Sequence, residues 1–388
     1  MTTTSSPHYS AENMIPFIDL AAQQAHIRPQ VDEALQKVLN HGQYIMGPEI
    51  AALETKLAQF TKTRHAISTS SGTDALLLCL MALGLRPGDG VIVPSFSFAA
   101  SAEVMPCLGA VPIFAEVDHE TFTLDPHKLD DAMAAAQAAG IRVVGIIPVG
   151  LFGQAADMVT INHFADSHGL WVLDDAAQSL GAQRDGKVVG QMAKMTATSF
   201  FPAKPLGCYG DGGAVFTDDD DLADITKSAR VHGMGKNRYQ YDRIGMTARM
   251  DTMQAAVLLE KLAIFPDELR RRQVLADRYH DALAGLVTPQ KLANDATSSW
   301  AQYCVLLPNG TDRNTIQAAL KQKGIPTAIY YTQGIHQHPP YAAYPIETGG
   351  LEVTAELCDR ILALPFHAWL DDATQDYIIT GLHTALNA

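Results

Sequence analysis

Residues 170–217 read LWVLDDAAQSLGAQRDGKVVGQMAKMTATSFFPAKPLGCYGDGGAVFT. Three short runs in this stretch, at 170–173, 196–200 and 214–217, are rich in apolar and β-branched residues, a composition that predicts buried strands. Two carboxylates follow the first run directly, and a lysine follows the second. Ligands of an open parallel sheet bind beyond the carboxyl ends of its strands, so these polar residues predict a functional site.

The same pattern extends toward the N-terminus, where strands and helices alternate. Strands are predicted at 65–68, 91–94, 111–115 and 143–149, and helices at 74–83, 99–108, 126–138 and 158–167. Such alternation is typical of an α/β fold with a mostly parallel central sheet and helices on both faces.

The flanking sequence divides the chain into three predicted parts. Residues 1–14 form a loose tail, residues 15–265 a large domain and residues 266–388 a small C-terminal α+β domain. The boundary rests on Pro266, which we expect to separate two helical segments, 252–265 and 267–286. The remaining predicted elements are helices at 25–39, 48–60, 315–323 and 372–386 and strands at 303–307 and 327–331.

Composition limits the class of protein. Of the 388 residues, 47% are hydrophobic and 18% charged, as in a globular protein with a large core. The formal charge of -14 argues against a nucleic-acid partner. No apolar stretch approaches the ~20 residues that cross a bilayer, so no membrane association is expected. Five scattered cysteines and an N-terminus unlike a signal peptide predict reduced thiols and a cytoplasmic location.

Two polar segments sit at predicted strand ends. Ser70-Ser71-Gly72-Thr73-Asp74 leads into a helix, whose free N–H groups favour an anion, although capping alone explains Ser and Thr at this position. Asp174 and Asp175 are costly at the end of a buried strand unless a positive group meets them. A protonated pyridine nitrogen is such a group; helix capping and a metal-binding carboxylate pair are the alternatives.

Lys204 lies in an apolar turn, Ser199-Phe-Phe-Pro-Ala-Lys204-Pro-Leu-Gly207. Desolvation lowers the pKa of a lysine and frees its amine to form a Schiff base. A single lysine is more often a solvated surface residue, but the neighbouring aromatic residues and prolines argue against that here.

These segments resemble a known family. Asp175-Ala-Ala-Gln178, followed by SFFPAKPLGCYGDGGA at 199–214, is similar to the DegT/DnrJ/EryC1/StrS sugar aminotransferases, which depend on pyridoxal phosphate. The similarity extends from FIDL at 17–20 and GQYIMGPE at 42–49 to LPFH at 364–367. Within the family, the chain is most similar to enzymes that aminate UDP-2-acetamido-2-deoxy-3-oxo-hexuronic acids.

The resemblance implies the type I aminotransferase fold, pyridoxal 5'-phosphate as cofactor, and a homodimer with shared active sites. It implies that Lys204 is the catalytic residue, which binds the cofactor covalently and shuttles a proton. The other cofactor-binding roles that it implies are Asp175 at the pyridine nitrogen, Gln178 at the ring hydroxyl, Phe98 stacked on the ring, and Gly72, Thr73 and Ser199 at the phosphate.

The sequence departs from the family at three positions. Thr247 stands where an Asn usually reaches the cofactor from the partner subunit, Ala203 replaces a Ser before the lysine, and Tyr330 replaces a substrate-side His. The cofactor half of the site is therefore retained, while the sugar half is altered. The candidate substrate-binding residues are Gly42, Tyr44, Arg249, Tyr330 and Tyr331, of which Arg249 is suited to a substrate carboxylate or phosphate.

The predicted activity is transfer of an amino group from an amino acid, glutamate in most of the family, to a nucleotide-linked keto sugar. Alternatives are a sugar dehydratase, which would carry His in place of Lys204, and a non-catalytic regulatory member of the family. A nicotinamide-dependent dehydrogenase is disfavoured because no G-x-G-x-x-G follows the first strand. His336 and His338 have the spacing of a metal pair, but the resemblance implies a substrate loop there and no metal.

Overall fold

The structure is a computed structural model that describes residues 9–237 and 239–387. Its strands are β1 (His65–Thr69), β2 (Asp89–Pro94), β3 (Val111–Ala115), β4 (Arg142–Ile146), β5 (Trp171–Asp175), β6 (Gln183–Arg184), β7 (Lys187–Val188), β8 (Met195–Ser199), β9 (Gly213–Thr217), β10 (Thr288–Pro289), β11 (Ala296–Thr297), β12 (Tyr303–Leu306) and β13 (Ile361–Leu364).

Its helices are α1 (Leu20–His41), α2 (Pro48–Thr61), α3 (Gly72–Ala82), α4 (Ala100–Cys107), α5 (Leu129–Ala138), α6 (Met158–His168), α7 (Asp220–Ala229), α8 (Thr252–Leu283), α9 (Arg313–Gln322), α10 (Glu352–Arg360) and α11 (Asp372–Leu386). Side-chain caps fix several of their starts: Asp157 accepts from the Thr160 N–H at 3.1 Å and Asp371 from the Thr374 N–H at 2.8 Å. In the described residues, no helix has both the length and the apolar character needed to span a bilayer.

A seven-stranded sheet in the order β1-β9-β8-β5-β4-β2-β3 forms the centre of the fold. The neighbours from β8 through β5, β4 and β2 to β3 are parallel, and β9 runs antiparallel between β1 and β8. Successive residues of β5 enter different cores: Val172 packs with residues of α5 and α6, and Leu173 with residues of α3 and α4. The predicted mostly parallel sheet with helices on both faces is therefore confirmed.

The C-terminal part builds a second core around a three-stranded antiparallel sheet, β10-β12-β13. Residues of α8, α9 and α11 pack on this sheet. Of the predicted N-terminal tail, residues 1–8 lie outside the described residues. The described part contacts this second core, because the Tyr9 hydroxyl lies 3.1 Å from Thr374 Oγ1. Ile15, the first residue after the predicted tail, is buried in the same core.

The predicted interruption at Pro266 is wrong, because α8 continues through this residue as one 32-residue helix. A proline inside a helix lacks a hydrogen-bond donor and costs about 3 kcal/mol. Packing on either side outweighs that cost: Leu258 and Phe265 are buried against the large sheet's outer helices, and Leu275 and Tyr279 are buried in the C-terminal core. The domain limits at 15–265 and 266–388 stay a prediction.

The predicted strand at 327–331 is also wrong, because only Ala328 pairs, through an isolated bridge with Ala363. β13, which the sequence did not predict, pairs with β12 instead. The two tyrosines that follow Ala328 turn toward the large sheet. The ring of Tyr330 lies 6.5 Å from that of Phe17 and the ring of Tyr331 lies 5.9 Å from that of Phe96, so the segment leaves the ladder.

Candidate active site

The predicted site residues gather where the parallel strands end. Asp175 is the last residue of β5 and Ser199 the last of β8, and these strands are adjacent and parallel. β1 runs in the same direction, since both it and β8 pair antiparallel with β9. The turn after β1 therefore brings Gly72 and Thr73 to the same edge of the sheet.

The start of α3 lies against Ser199. A Cβ added to Gly72 would stand 2.7 Å from the Ser199 Cβ, so only glycine allows this approach. Ser71 caps the helix by accepting from the Asp74 N–H at 3.0 Å, and half-buried Thr73 is in the first turn. Free N–H groups and the helix dipole at such a terminus favour an anion. The cradle therefore fits a phosphate group.

Asp175 is a buried carboxylate that protein donors hold in place. It is 3% exposed, and it accepts from the Ser101 hydroxyl at 2.7 Å and the Ala177 N–H at 3.1 Å. Burial raises its pKa, whereas both hydrogen bonds and the charge of Lys204 act in the opposite direction. An acid in this position fits a cationic partner such as a protonated pyridine nitrogen.

Lys204 is half-buried in a turn between buried Phe200 and Leu206, and its N–H donates to the Phe201 carbonyl at 2.8 Å. Burial lowers the pKa of its amine, and the charge of Asp175 opposes this effect. Asp175 ends β5, and Lys204 lies in the turn after β8, the parallel neighbour of β5, so the two residues are at the same edge of the sheet. A lysine with a lowered pKa beside a buried acid fits covalent attachment of an aldehyde cofactor.

Gln178 and Tyr331 form the wall of the site next to the C-terminal part. Gln178 is 4% exposed; its Oε1 accepts from the Phe152 N–H at 2.8 Å, and its Nε2 lies 3.4 Å from the Tyr331 hydroxyl. Burial raises the pKa of Tyr331, which keeps the phenol neutral. The carboxamide is therefore fixed in orientation, and it has a second N–H for a ligand.

The aromatic residue predicted to stack on the cofactor ring is accessible. Phe98 precedes α4, and its side chain is 56% exposed. Phe201, beside the lysine turn, is also exposed, at 51%. Exposed rings beside a polar cradle fit contact with a planar ligand.

Several predicted residues lie on the surface. Gly42 ends α1 in the left-handed region, with φ 69°, and Tyr44 is 49% exposed. Thr247 is exposed, and its Oγ1 lies 2.7 Å from His232 Nε2. The hydrogen bonds found in residues 9–237 and 239–387 join none of these three to Asp175 or Lys204.

Arg249 is half-buried and its guanidinium is not fully used. Its Nε is buried and has no hydrogen-bond partner among the residues that the structure describes. An unsatisfied buried donor on a charged group is costly. Arg249 is thus suited to a ligand with an anionic oxygen.

His336 is engaged with the large sheet, because its Nδ1 lies 2.6 Å from the Ser95 hydroxyl just after β2. Its neighbour in the predicted pair, His338, is exposed. Within the described ranges, no three His, Cys, Asp or Glu side chains are grouped to hold a metal ion. The contact of His336 with Ser95 places this loop beside the carboxyl end of β2, where the family resemblance implies a substrate loop.

Ser97 and Ser101 lie behind Asp175, and neither is among the predicted site residues. Ser97 Oγ is 3.1 Å from Ser101 Oγ, and both side chains are buried. A signal was present in Ser95-Phe-Ser-Phe-Ala-Ala-Ser101, where hydroxyls recur among apolar residues at a predicted strand end.

Comparison with known proteins identifies extensive similarity. A profile of the DegT/DnrJ/EryC1/StrS aminotransferase family matches residues 25–383. The UDP-2-acetamido-2-deoxy-3-oxo-D-glucuronate aminotransferase of Pseudomonas aeruginosa is 44% identical over 371 residues, which are 95% of this chain and 99% of the relative.

Solved structures match the fold equally well. A DegT DnrJ EryC1 StrS aminotransferase from Brucella abortus superposes with a TM-score of 0.93 at 45% identity, over 95% of this chain and 99% of the other. The structure of ntda from Bacillus subtilis with its bound cofactor PMP (pyridoxamine phosphate) gives a TM-score of 0.87 at 30% identity, over 97% of this chain and 86% of the other.

Proposed function

Since the chain belongs to the DegT/DnrJ/EryC1/StrS aminotransferase family, we propose that it transfers the amino group of glutamate to a UDP-linked 2-acetamido-2-deoxy-3-oxo-hexuronic acid. The broader activity, pyridoxal-phosphate-dependent amination of a nucleotide-linked keto sugar, follows from the family and its relatives. The observation that carries the proposal is the buried Asp175 carboxylate at the end of β5, next to β8, whose following turn carries Lys204.

The residues of the site divide the chemistry among them. Bound pyridoxal phosphate supplies an electron-withdrawing ring that stabilises negative charge on the carbon that loses a proton. Lys204 would hold the cofactor and then take and return that proton at its Nζ. Asp175 would keep the ring nitrogen protonated, and Gln178 would orient the ring through its hydroxyl. The α3 terminus, with Gly72, Thr73 and Ser199, would bind the phosphate.

The sugar side favours an acidic substrate. Arg249 offers a buried Nε without a partner in the described chain, and a carboxylate fits a guanidinium fork better than a neutral hydroxyl does. Tyr330 and Tyr331 stand where the C-terminal part meets the large sheet and would contact the sugar. A uronic acid supplies such a carboxylate.

We further propose a homodimer in which each subunit completes the other's site. Thr247, Gly42 and Tyr44 are predicted to bind ligand yet lie exposed on the surface of one subunit. Tyr44 and Ile45 are large hydrophobic side chains that are 49% and 47% exposed, as expected of a surface that a second copy covers. The five free cysteines, four of them buried, support a reducing, cytoplasmic location.

A half-reaction screen tests the substrate assignment. The enzyme is first loaded with pyridoxamine phosphate and then mixed with UDP- and dTDP-linked keto sugars, with or without a carboxylate at C6. We expect the UDP-linked 3-keto-hexuronic acid to convert the bound cofactor to its yellow form fastest. Faster conversion by a neutral dTDP-linked sugar would refute the sugar assignment and keep the aminotransferase class.

The same assay separates the two alternatives. A dehydratase would release water from the sugar without consuming an amino donor. A regulatory protein would bind the cofactor without bleaching when glutamate is added. Glutamate-dependent bleaching, followed by recovery with a keto sugar, is expected only of an aminotransferase.

A further inference from the structure

Two serines form a buried hydrogen-bonded chain behind Asp175, which we call the serine relay (Ser97 and Ser101). The Ser101 hydroxyl lies 2.7 Å from Asp175 Oδ2, and Ser97 Oγ lies 3.1 Å from Ser101 Oγ. The relay is almost completely enclosed, since Ser97 is 3% exposed, Ser101 1% and Asp175 3%. No position in the relay is therefore open to bulk solvent.

The direction of the relay follows from its chemistry. An ionised carboxylate can only accept, so the single hydroxyl proton of Ser101 points to Asp175. The Ser101 oxygen then accepts from Ser97. The backbone N–H of Ala177 donates to the other carboxylate oxygen, Oδ1, at 3.1 Å. Both oxygens of Asp175 thus have a fixed donor, one from α4 and one from the turn after β5.

The geometry points to Ser101, supported by Ser97, as the positioning residue that keeps Asp175 ionised and aimed at the ring nitrogen of the cofactor. This inference rests on the proposed function. A buried carboxylate without donors is strongly disfavoured as an anion. Removing the Ser101 hydroxyl would favour the neutral acid, and the proton shared with the ring nitrogen would shift from the ring to Asp175. The ring would then withdraw electrons less effectively.

The expected magnitudes differ along the relay. A hydrogen bond to a charged group is stronger than one between neutral groups, and the Ser101 contact is also the shorter. We therefore expect Ser101→Ala to lower kcat roughly tenfold. Ser97→Ala, one bond further away, should lower kcat about twofold in the same direction. Ser101→Thr retains the hydroxyl and should restore at least half of the lost rate.

The test uses the full-length enzyme loaded with pyridoxal phosphate that is ¹⁵N-labelled at the ring nitrogen. The ¹⁵N chemical shift reports directly whether that nitrogen is protonated, and a matched control variant separates this effect from a general loss of structure. Ser68→Ala is the matched control. Ser68 is also fully buried and also donates to a carboxylate, that of Glu54, at 2.8 Å, but it lies outside the relay.

We expect Ser101→Ala to retain one borohydride-fixed cofactor per chain while its ¹⁵N signal moves toward that of neutral pyridine. Ser97→Ala should move the signal less, and Ser68→Ala and Ser101→Thr should leave it at the wild-type position. An unchanged signal in both Ser101→Ala and Ser97→Ala overturns the inference, even if kcat falls. Should Ser101→Ala fail to fold, the signal of Ser97→Ala decides. Absence of covalent cofactor in the wild type would instead refute the proposed function.

Discussion

Gly72 lies so close to Ser199 that a Cβ on the glycine would stand 2.7 Å from the serine Cβ. This contact joins the start of α3 to the end of β8, two segments that the chain separates by more than a hundred residues. It sets the width of the proposed phosphate cradle, because any larger side chain must push the helix terminus away from the strand.

We therefore predict that Gly72→Ala weakens cofactor binding. Overpacking of this kind costs about 1–3 kcal/mol, so the dissociation constant of pyridoxal phosphate should rise roughly 5- to 150-fold if the whole cost falls on the bound state. Fluorescence titration of the apoenzyme measures it. Gly84→Ala, just beyond the other end of α3, is the control: its φ of 76° makes the substitution strained, but nothing lies within 4 Å. Equal losses of affinity in both variants would contradict the cradle.

The burial of Asp174 predicts that the free energy of unfolding depends on pH. This residue is completely buried, and neither carboxylate oxygen has a hydrogen-bond partner within the described residues. Burial, with a smaller effect of the Asp175 charge, raises its pKa from 3.8 to about 7. Between pH 4 and 7, therefore, the Asp174 carboxyl is protonated in the folded state but ionised in the unfolded state. Stability from this group should fall as pH rises through that window and stay low above it.

Asp174→Asn tests this directly, because an amide does not titrate. Each pKa unit corresponds to about 1.4 kcal/mol, so the wild type should lose up to about 4 kcal/mol of unfolding free energy, relative to the variant, between pH 4 and pH 8. Urea unfolding of both proteins at several pH values measures the difference. Parallel curves for the two proteins would show that Asp174 does not titrate as described.

The proposed role of Arg249 predicts that its substitution affects the half-reaction with the nucleotide sugar more than the half-reaction with glutamate. If its guanidinium binds the sugar carboxylate, Arg249→Gln should raise KM for the nucleotide sugar by about tenfold or more, the equivalent of one charge-assisted hydrogen bond. KM for glutamate should change less. Arg249→Lys retains the charge but not the fork and should fall between wild type and Gln.

Arg142→Gln serves as the control for Arg249, because the Arg142 side chain is 73% exposed and pairs with Asp89 at the opposite end of the strands. Its steady-state constants should match those of the wild type. If Arg249→Gln raises KM for glutamate alone, Arg249 binds the amino donor and the inference about the sugar carboxylate is wrong.

Local sequence patterns predicted much of the sheet because β5 and β8 are short apolar runs, one ending at Asp175 and the other followed by the turn that carries Lys204. What the patterns could not predict depends on residues distant in the chain. Ser101 is 74 positions from Asp175, and Tyr331 is 153 positions from Gln178, so neither contact has a local signal. Pro266 would end an isolated helix, and only the packing on both sides keeps α8 continuous.

The roles of the individual site residues could not be predicted from local patterns alone. Burial and spacing indicated that Asp175 and Lys204 carry chemistry, but the resemblance to a family supplied the cofactor and the partner-subunit residues. Surface positions such as Thr247 and Tyr44 show why. In one subunit nothing distinguishes them from ordinary exposed residues, since their proposed ligand lies in another copy.

Covalent trapping of the cofactor tests the central claim most directly. Borohydride reduction of the enzyme loaded with pyridoxal phosphate, followed by peptide mapping, should label Lys204 and no other lysine. Lys261 is an internal control: it is 1% exposed, its pKa is lowered to about 8 by burial, and its Nζ lies 4.4 Å from the centre of the Tyr209 ring. Label on Lys204 alone supports the account; an unlabelled Lys204, or label on Lys261 instead, contradicts it.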